Sequence, residues 1–399
     1  MKAFLKKYIG SDPVIWVVFV LLCVISIIEM YSAATSLVTS SVASGKSYNA
    51  QIFRHLTFLL VGLGFVFVMH YIPFKLVRLG GYFVLAVSIL LLIITLINGT
   101  SVNDASRWTT IGGVEFQPSE LAKLSIIIVV ADLISRIREG AADQKRYFWI
   151  IMLIVVTVCG LIFLENFSTA ALLFVVVFLM LFVGQISWKY LAGIVGVLAL
   201  GLFLGFSIIK VVPEEKMPNA FHRAYTWVGR LESHSNDKEE IVQITDENRQ
   251  VVYGKLAVAR GGVLGVMPGN SEMRNYLPGA FSDFIYAIII EELGLVGGIL
   301  VIIFYLVLLY RAGRIATQSK TVFSTVIVIG LTLMIVIQAF IHMAVSTNLG
   351  PVTGQPLPFI SRGGTALIIN CIYIGIILSA TRQIRLEKET KQPKIENEN

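Results

Sequence analysis

The chain has 399 residues, of which 56% are hydrophobic and 14% are charged. This composition lies outside the range of soluble domains and is typical of polytopic membrane proteins, so a soluble globular fold is excluded. The formal net charge of +7 comes from basic residues spread over short loops, which indicates topology signals and contacts with membrane lipid rather than a nucleic-acid surface.

A helix that spans a bilayer needs about 20 apolar residues. On this criterion the sequence predicts about ten spanning helices, near 14–34, 53–72, 80–98, 118–136, 147–165, 168–186, 188–211, 281–310, 322–346 and 359–381. The predicted fold class is an all-α polytopic membrane protein, in which residues 1–385 form a single transmembrane domain.

Lys and Arg are distributed asymmetrically over the connecting loops. The positive-inside rule then places both termini in the cytoplasm and a large outer loop, about 212–280, between the seventh and eighth spans. Within that loop, residues 221–232 are predicted to form a short amphipathic helix and residues 241–252 a hairpin. The charged residues 386–399 are predicted to form a disordered cytoplasmic tail.

The first candidate for chemistry is Asp283, near the start of the apolar run 281–310, with Glu291 and Glu292 deeper in the same run. A charge at membrane depth is costly, so it is a functional hypothesis by default. Partial desolvation makes a carboxylate a better proton acceptor, which suits a general base. A carboxylate that only stabilises a helix N-terminus is the alternative, and the sequence leaves both open.

A second candidate lies between Arg107 and Lys123, where RW is followed by FQPSELAK. Pro118 suits the first turn of a helix, and Glu120 and Lys123 share one face of it because they are three residues apart. Arg107 and Lys123 form a basic pair beside a helix N-terminus, which is a ready site for phosphate or pyrophosphate. A Glu–Lys pair that neutralises itself inside the membrane is equally supported.

A third candidate is the segment 348–365, NLGPVTGQPLPFISRGGT, whose three prolines and four glycines indicate a rigid re-entrant or interfacial loop. Irregular backbone is tolerated at membrane depth only where it packs on protein or lines a cavity. An ordinary tight connection between two helices is the alternative. The sequence has no metal-ligand spacing, Walker loop or serine triad, which disfavours ATP hydrolysis and proteolysis.

The motifs RW, FQPSELAK, LPGAFSDFIYAIIIEELGLVGG and GPVTGQPLPFISRGGT, in this order and spacing, resemble the SEDS family (shape, elongation, division and sporulation), the group of RodA and FtsW. The resemblance covers essentially the whole chain except the tail and residues 235–252, and it is closer to FtsW-like members. It implies a peptidoglycan glycosyltransferase that polymerises lipid II into glycan strands at the outer face of the bacterial inner membrane, for septal wall synthesis. The resemblance also implies lipid II, the growing glycan, a class B penicillin-binding protein and other division proteins as partners.

Carried over residue by residue, the essential outer-loop aspartate of the family falls on Asp283, and its helix-four trio falls on Arg107, Glu120 and Lys123. Asp283 is the expected base and the trio the expected pyrophosphate site, where a divalent cation, Mg or Mn with unknown ligands, would help. The remaining substrate-binding residues are expected in the last loop, at Ser361, Arg362, Gly363 and Gly364.

Two positions depart from the family pattern. Asn166 stands where many relatives have Asp, which puts any role of that carboxylate in doubt, and Arg362 stands where relatives often have an aromatic residue.

Two other functions stay open. A lipid II flippase would use a polar path through the membrane, and a non-catalytic division scaffold would only recruit partners. The path of the flippase would contain Glu29, Asp132, Glu165 and His342.

Overall fold

The computed structural model describes residues 12–42, 48–98, 100–102, 105–111, 114–141, 143–211, 248–277 and 279–391. Within these ranges, it describes the backbone alone for residues 33–51, 98–115, 202–211 and 388–391. The predicted amphipathic helix at 221–232 lies outside the described residues.

The described residues form eleven α-helices. They are α1 Pro13–Val42, α2 Tyr48–Tyr71, α3 Phe74–Asn98, α4 Pro118–Arg138, α5 Gln144–Glu165, α6 Phe167–Val183, α7 Trp188–Val211, α8 Arg249–Gly261, α9 Ile285–Gln318, α10 Val322–Ser346 and α11 Thr365–Lys391. All but α8 coincide with the predicted apolar runs, so the all-α fold class is confirmed. Seven of them are long and apolar enough to cross a bilayer, judged by length and composition, and two shorter apolar helices lie at Phe167–Val183 and Trp188–Gly201. Together they make this a multi-pass membrane protein.

Helix α4 lies at the centre of the bundle, where it contacts α3, α5, α6, α10 and α11. Nearly every residue from Pro118 to Ser135 is buried, as expected for a helix surrounded on all sides. Small residues allow α10 to approach it closely, because a Cβ added at Gly330 would lie 2.7 Å from Met180 Sδ and 3.0 Å from Ile127 Cγ2. Glu120, Lys123 and Asp132 of α4 are therefore enclosed by protein, whereas Arg136 and Arg138 at its C-terminal end are exposed.

Between α3 and α4 the chain forms a small antiparallel sheet that the sequence analysis did not predict. Its strands are β1 Thr100–Val102, β2 Ala105–Ile111 and β3 Val114–Phe116, paired in the order β1-β2-β3. Thr109 of β2 pairs with Phe116 of β3, directly before the extended Gln117 and the first residue of α4, Pro118. This pairing holds β2, which includes Arg107, beside the N-terminus of α4.

Helix α9 is kinked at Gly294, which has a φ of 70°, a left-handed conformation that glycine adopts without steric cost. The kink frees helical backbone groups, and residues 262–267 of the outer loop pair with them. Val266 N donates to Glu291 O at 2.9 Å and Leu295 N donates to Gly262 O at 3.0 Å. A Cβ on Gly294 would overlap Val263 O, so the close approach of this loop also requires glycine.

Several boundaries differ from the prediction, among them the start of α11, which is Thr365 instead of residue 359. Part of the hairpin predicted at 241–252 is helical, since α8 begins at Arg249. Its small buried residues Gly254, Ala257 and Gly261 recur at helical spacing and face α9, so packing overrides the local alternation. The predicted tail is helical as far as Lys391, and Glu387 there pairs with Lys320 at 2.6 Å. Residues 392–399 lie outside the described part.

Candidate active site

Asp283 lies in a tight turn that immediately precedes α9. Residues 281–284, predicted as the first turn of that helix, form this turn instead, and α9 begins at Ile285. Gly279, whose φ is 72°, directs its carbonyl at the turn and accepts from Ser282 N at 3.0 Å and Asp283 N at 2.9 Å. Ser346 Oγ of α10 donates to Asp283 O at 3.3 Å. The backbone of the half-buried Asp283 is thus fixed from both sides.

An apolar cluster supports this turn from below. It consists of Leu277, Ala280, Phe284 and Ile288, with Tyr253, Phe281 and Val352 packed against them. Helix α8 closes the cluster, because a Cβ on Gly254 would lie 3.2 Å from the Phe284 ring. Tyr253 also stacks on Tyr276, with ring centroids 5.5 Å apart. The turn that carries Asp283 therefore rests on a packed apolar cluster.

Residues 355–362, here called the connecting loop, hydrogen-bond directly to the Asp283 turn. Ser361 Oγ donates to Ser282 O at 2.8 Å, and Arg362 N donates to Phe281 O at 2.9 Å. Ser361 Oγ also accepts from Leu357 N at 2.7 Å. The structure thus brings the predicted residues Asp283, Ser361 and Arg362 together at one place.

The connecting loop is attached to several helices. Ser26 of α1 donates to Ile360 O at 3.0 Å, Tyr305 of α9 donates to Pro358 O, and His342 Nδ1 lies 2.8 Å from Gln355 O. Gln355 Nε2 donates to Thr169 Oγ1 of α6 at 2.7 Å. Carbonyl groups of this irregular backbone thus find hydrogen-bond partners in the protein, which a re-entrant segment requires. These contacts attach the loop to α1, α6, α9 and α10, and its rigid re-entrant character stays a prediction.

Glu120 and Lys123 form an ion pair inside the bundle. Lys123 Nζ lies 2.8 Å from Glu120 Oε1, and the two side chains are 0% and 2% exposed. The ammonium also donates to Gln338 Oε1 of α10 at 3.0 Å. This geometry matches one of the two alternatives from the sequence, a Glu–Lys pair that neutralises itself. A direct contact of Lys123 with pyrophosphate stays a prediction.

The other predicted residues lie on β2 and at the starts of α6 and α11. Arg107 lies on β2, whose backbone alone is described. Gly363 and Gly364 form the turn into α11, with Gly364 at φ 43°. Asn166 caps α6, because its Oδ1 accepts from Ser168 N at 3.1 Å and Thr169 N at 3.3 Å. Asn166, which stands where many relatives have Asp, therefore has a structural role as a helix cap.

The two carboxylates deeper in α9 attach the outer loop. Glu291 Oε2 accepts from Ser271 Oγ at 2.5 Å, and Glu292 accepts from Ser32 Oγ of α1 and lies 3.6 Å from Arg274 Nη1. At the surface, the hydrogen bond from Arg260 holds the pKa of the Glu272 carboxyl below its ordinary value. The charge of Glu291 and Glu292 at membrane depth is thus explained by structural pairing.

The sequence analysis missed Gln338, which joins the ion pair to the connecting loop. Its Nε2 donates to Pro356 O at 2.9 Å, while its Oε1 accepts from Lys123. The available signal was a single amide inside the apolar run 322–346, four residues before His342 and hence on the same helical face.

Comparison with known proteins identifies the family. The chain matches the family model described as Cell cycle protein, which groups FtsW, RodA and SpoVE, over residues 12–386. The chain belongs to this family of polytopic membrane proteins, which confirms the resemblance seen in its motifs. It is 31% identical over 382 residues to a probable peptidoglycan glycosyltransferase FtsW of Trichlorobacter lovleyi, with 94% of each chain covered. It is 28% identical over 403 residues to that of Bacillus subtilis, covering 98% of this chain and 95% of the relative.

Solved structures share the fold. One comes from a study of the structural coordination of polymerization and crosslinking by a peptidoglycan synthase complex. It superposes with a TM-score of 0.73 at 22% identity, covering 94% of this chain and 98% of the other. The rod shape determining protein RodA of Thermus thermophilus gives a TM-score of 0.65 at 21% identity, with the same coverage.

Proposed function

We propose that this chain is an inverting peptidoglycan glycosyltransferase that polymerises lipid II at the outer face of the bacterial inner membrane, for septal wall synthesis. The curated relatives carry the name of this activity. The observation that carries the proposal is the setting of Asp283, a half-buried carboxylate on a turn fixed by the connecting loop and by α10. A general base needs this kind of positioning before its basicity matters.

In the proposed reaction, the donor is a glycan chain linked to a lipid pyrophosphate, and the acceptor is the sugar 4-hydroxyl of lipid II. Asp283 accepts the hydroxyl proton while the oxygen attacks the anomeric carbon from the face opposite the leaving group. The bond from that carbon to the pyrophosphate oxygen breaks, and the lipid pyrophosphate departs with the electron pair. The new glycosidic bond therefore has inverted configuration.

Negative charge grows on the pyrophosphate in the transition state, so nearby cations would lower the barrier. We assign three cations to the leaving pyrophosphate: Arg107 on β2, Arg362 on the connecting loop and Lys123. Glu120 would orient Lys123. Because Lys123 has no exposed surface, its assignment requires the pyrophosphate to enter between α4 and α10. Gly363 and Gly364, beside Arg362, would let the substrate approach the backbone.

A divalent cation, Mg or Mn, would neutralise part of the pyrophosphate charge when bound. The described residues contain no group of three or more His, Cys, Asp or Glu placed to hold a metal. Substrate phosphates would supply many of its ligands, as they commonly do for Mg²⁺.

The proposal includes cytoplasmic termini and a class B penicillin-binding protein as partner, which would crosslink the strands that this chain makes. Similarity to a chain from a peptidoglycan synthase complex supports such a partner. A flippase path is less well supported, because one of its members, Asp132, is neutralised locally. It accepts from Tyr82 at 2.8 Å and Arg136 at 2.9 Å, and lies 3.5 Å from Arg78.

The test is a polymerisation assay on purified protein with lipid II and Mg²⁺ or Mn²⁺, with and without the cognate penicillin-binding protein. Wild type and Asp283→Asn are compared on a gel that resolves glycan strands. We expect strands from the wild type and a loss of at least about 100-fold in the variant, because proton transfer by a positioned base contributes about 100- to 10,000-fold. Full activity in Asp283→Asn would remove Asp283 as the base, and inactive wild type with partner bound would favour the flippase or the scaffold.

A further inference from the structure

Gln338 has a buried amide whose two ends are both engaged. The residue is 1% exposed, its Oε1 accepts from Lys123 Nζ at 3.0 Å, and its Nε2 donates to Pro356 O at 2.9 Å. A flipped amide would place its NH₂ against the ammonium and its oxygen against a carbonyl, and would lose both bonds. Because an unsatisfied buried amide is costly, this arrangement has one low-energy orientation.

A continuous series of hydrogen bonds leads from Gln338 to the Asp283 turn. Pro356 is followed by Leu357, whose N–H donates to Ser361 Oγ at 2.7 Å. Ser361 Oγ in turn donates to Ser282 O at 2.8 Å, one residue before Asp283. Gln338 and Asp283 lie on different elements, and this route joins them through the connecting loop, in addition to the direct contact that α10 makes through Ser346 Oγ with Asp283 O at 3.3 Å.

We propose that Gln338 is a positioning residue, which sets the Asp283 turn by fixing the connecting loop to the Glu120–Lys123 pair. The proposal rests on the transferase function argued above. Gln338 itself touches none of the reacting groups. Its effect comes from geometry, since a displacement of about 1 Å at a reacting group can cost about 100-fold in rate.

The competing explanation is that Gln338 only stabilises the packing of α10 on α4. A matched control separates the two. Thr332 lies on the same helix and is fully buried, but its hydroxyl bonds only within α10, to Val328 O at 2.8 Å. Gln338→Met and Thr332→Val both replace a buried polar side chain with an apolar one of similar shape, and only the first cuts the route to Asp283.

The first measurement is hydrogen exchange by mass spectrometry on the purified full chain. Gln338→Met should increase exchange in residues 355–362 and also in residues 279–285, which are distant from it in the chain. Thr332→Val should affect α10 alone. Ser361→Ala, which cuts the same route closer to Asp283, is the second variant should Gln338→Met fail to fold. Unchanged exchange at 279–285 in the variant that folds would overturn the proposal.

The second measurement is kinetic. Gln338→Met should lower kcat by about 10- to 100-fold, because the base is displaced from its productive position. The double variant with Ser361→Ala should be no more than about twofold slower than Gln338→Met, since both cut one route. A wild-type kcat, or effects that multiply, would overturn the proposal.

The exchange measurement needs no catalytic activity, so the two proposals can fail separately. Exchange that does not reach residues 279–285 overturns the positioning role whether or not strands are made. Transmitted exchange in a chain that is inactive with its partner leaves the coupling standing and overturns the transferase assignment.

Discussion

Removing the buried ammonium of Lys123 should be one of the most damaging single substitutions in the bundle. Lys123→Met keeps a side chain of similar length but removes the charge that lies 2.8 Å from Glu120 Oε1. Glu120 is 1% exposed, and its Oε2 has no hydrogen-bond partner among the described residues. The variant therefore leaves a carboxylate enclosed by protein without a counter-charge.

The expected loss follows from the burial of both partners. Breaking a buried ion pair by removing one member costs about 3–5 kcal/mol, and the lost bond to Gln338 adds about 1 kcal/mol. Replacing both members of a buried pair by apolar residues of similar volume is often nearly neutral. Glu120→Met combined with Lys123→Met should therefore recover most of the stability.

The assay is equilibrium unfolding of the purified variants in mixed detergent micelles. Lys320→Met provides a matched control, because Lys320 pairs with Glu387 while about half of each side chain is exposed, and exposed pairs contribute about 0–1 kcal/mol. The reasoning is refuted if Lys123→Met costs no more than this control, or if the double variant is as unstable as the single one. A double variant that folds but makes no strands would show that the Glu120–Lys123 pair is needed for activity as well as for stability.

Two further predictions concern the outer loop. Gly294→Ala should destabilise the chain by about 1–3 kcal/mol through its positive φ alone, and by more because the new Cβ overlaps Val263 O. Gly313→Ala on the same helix, where a Cβ meets nothing within 4 Å, should stabilise it slightly, and equal losses in thermal unfolding would contradict this account. Because Arg260 lowers the pKa of Glu272, that pair supports the loop above the ordinary carboxyl range and loses its effect as pH falls through the lowered pKa. Hydrogen exchange of residues 265–277, corrected for its intrinsic pH dependence, should show this acid step in wild type but not in Glu272→Gln, and the same step in both would exclude the pair as its cause.

The charges of α9 show why a functional reading of membrane carboxylates needs the tertiary structure. By sequence alone Asp283 was the candidate base, and Glu291 and Glu292 were two further carboxylates of the same apolar run without an assigned role. The structure gives Glu291 and Glu292 hydroxyl and guanidinium partners from the outer loop and from α1. Asp283 instead stands on the turn that the connecting loop fixes, which is the position expected of a base.

Only some of the site residues predicted from motifs lie next to one another in the structure. Ser361 and Arg362 donate hydrogen bonds to the backbone carbonyls of Ser282 and Phe281, beside Asp283. Lys123 is enclosed with Glu120. Spacing alone could not distinguish this ion pair from a pyrophosphate site, because both need the same three-residue separation. Gln338 was missed, since one amide in an apolar run gives no sign of which neighbour it bonds.

The sequence by itself determined the class of the protein and the approximate positions of its long apolar helices. Partition into a bilayer depends on the apolar content of about 20 consecutive residues, which is a local property that a reader of the chain can sum. Turn and cap chemistry is equally local, so Pro118 marked the start of α4 correctly.

The tertiary structure alone decided the kink at Gly294, the strands around Arg107, the helix α8 and the partners of each buried polar group. These features depend on which segments become neighbours. Ser32 and Glu292 are 260 residues apart, and Lys123 and Gln338 are 215 apart. A buried hydrogen bond is set by the packing of whole helices, and no local pattern of residues encodes that packing.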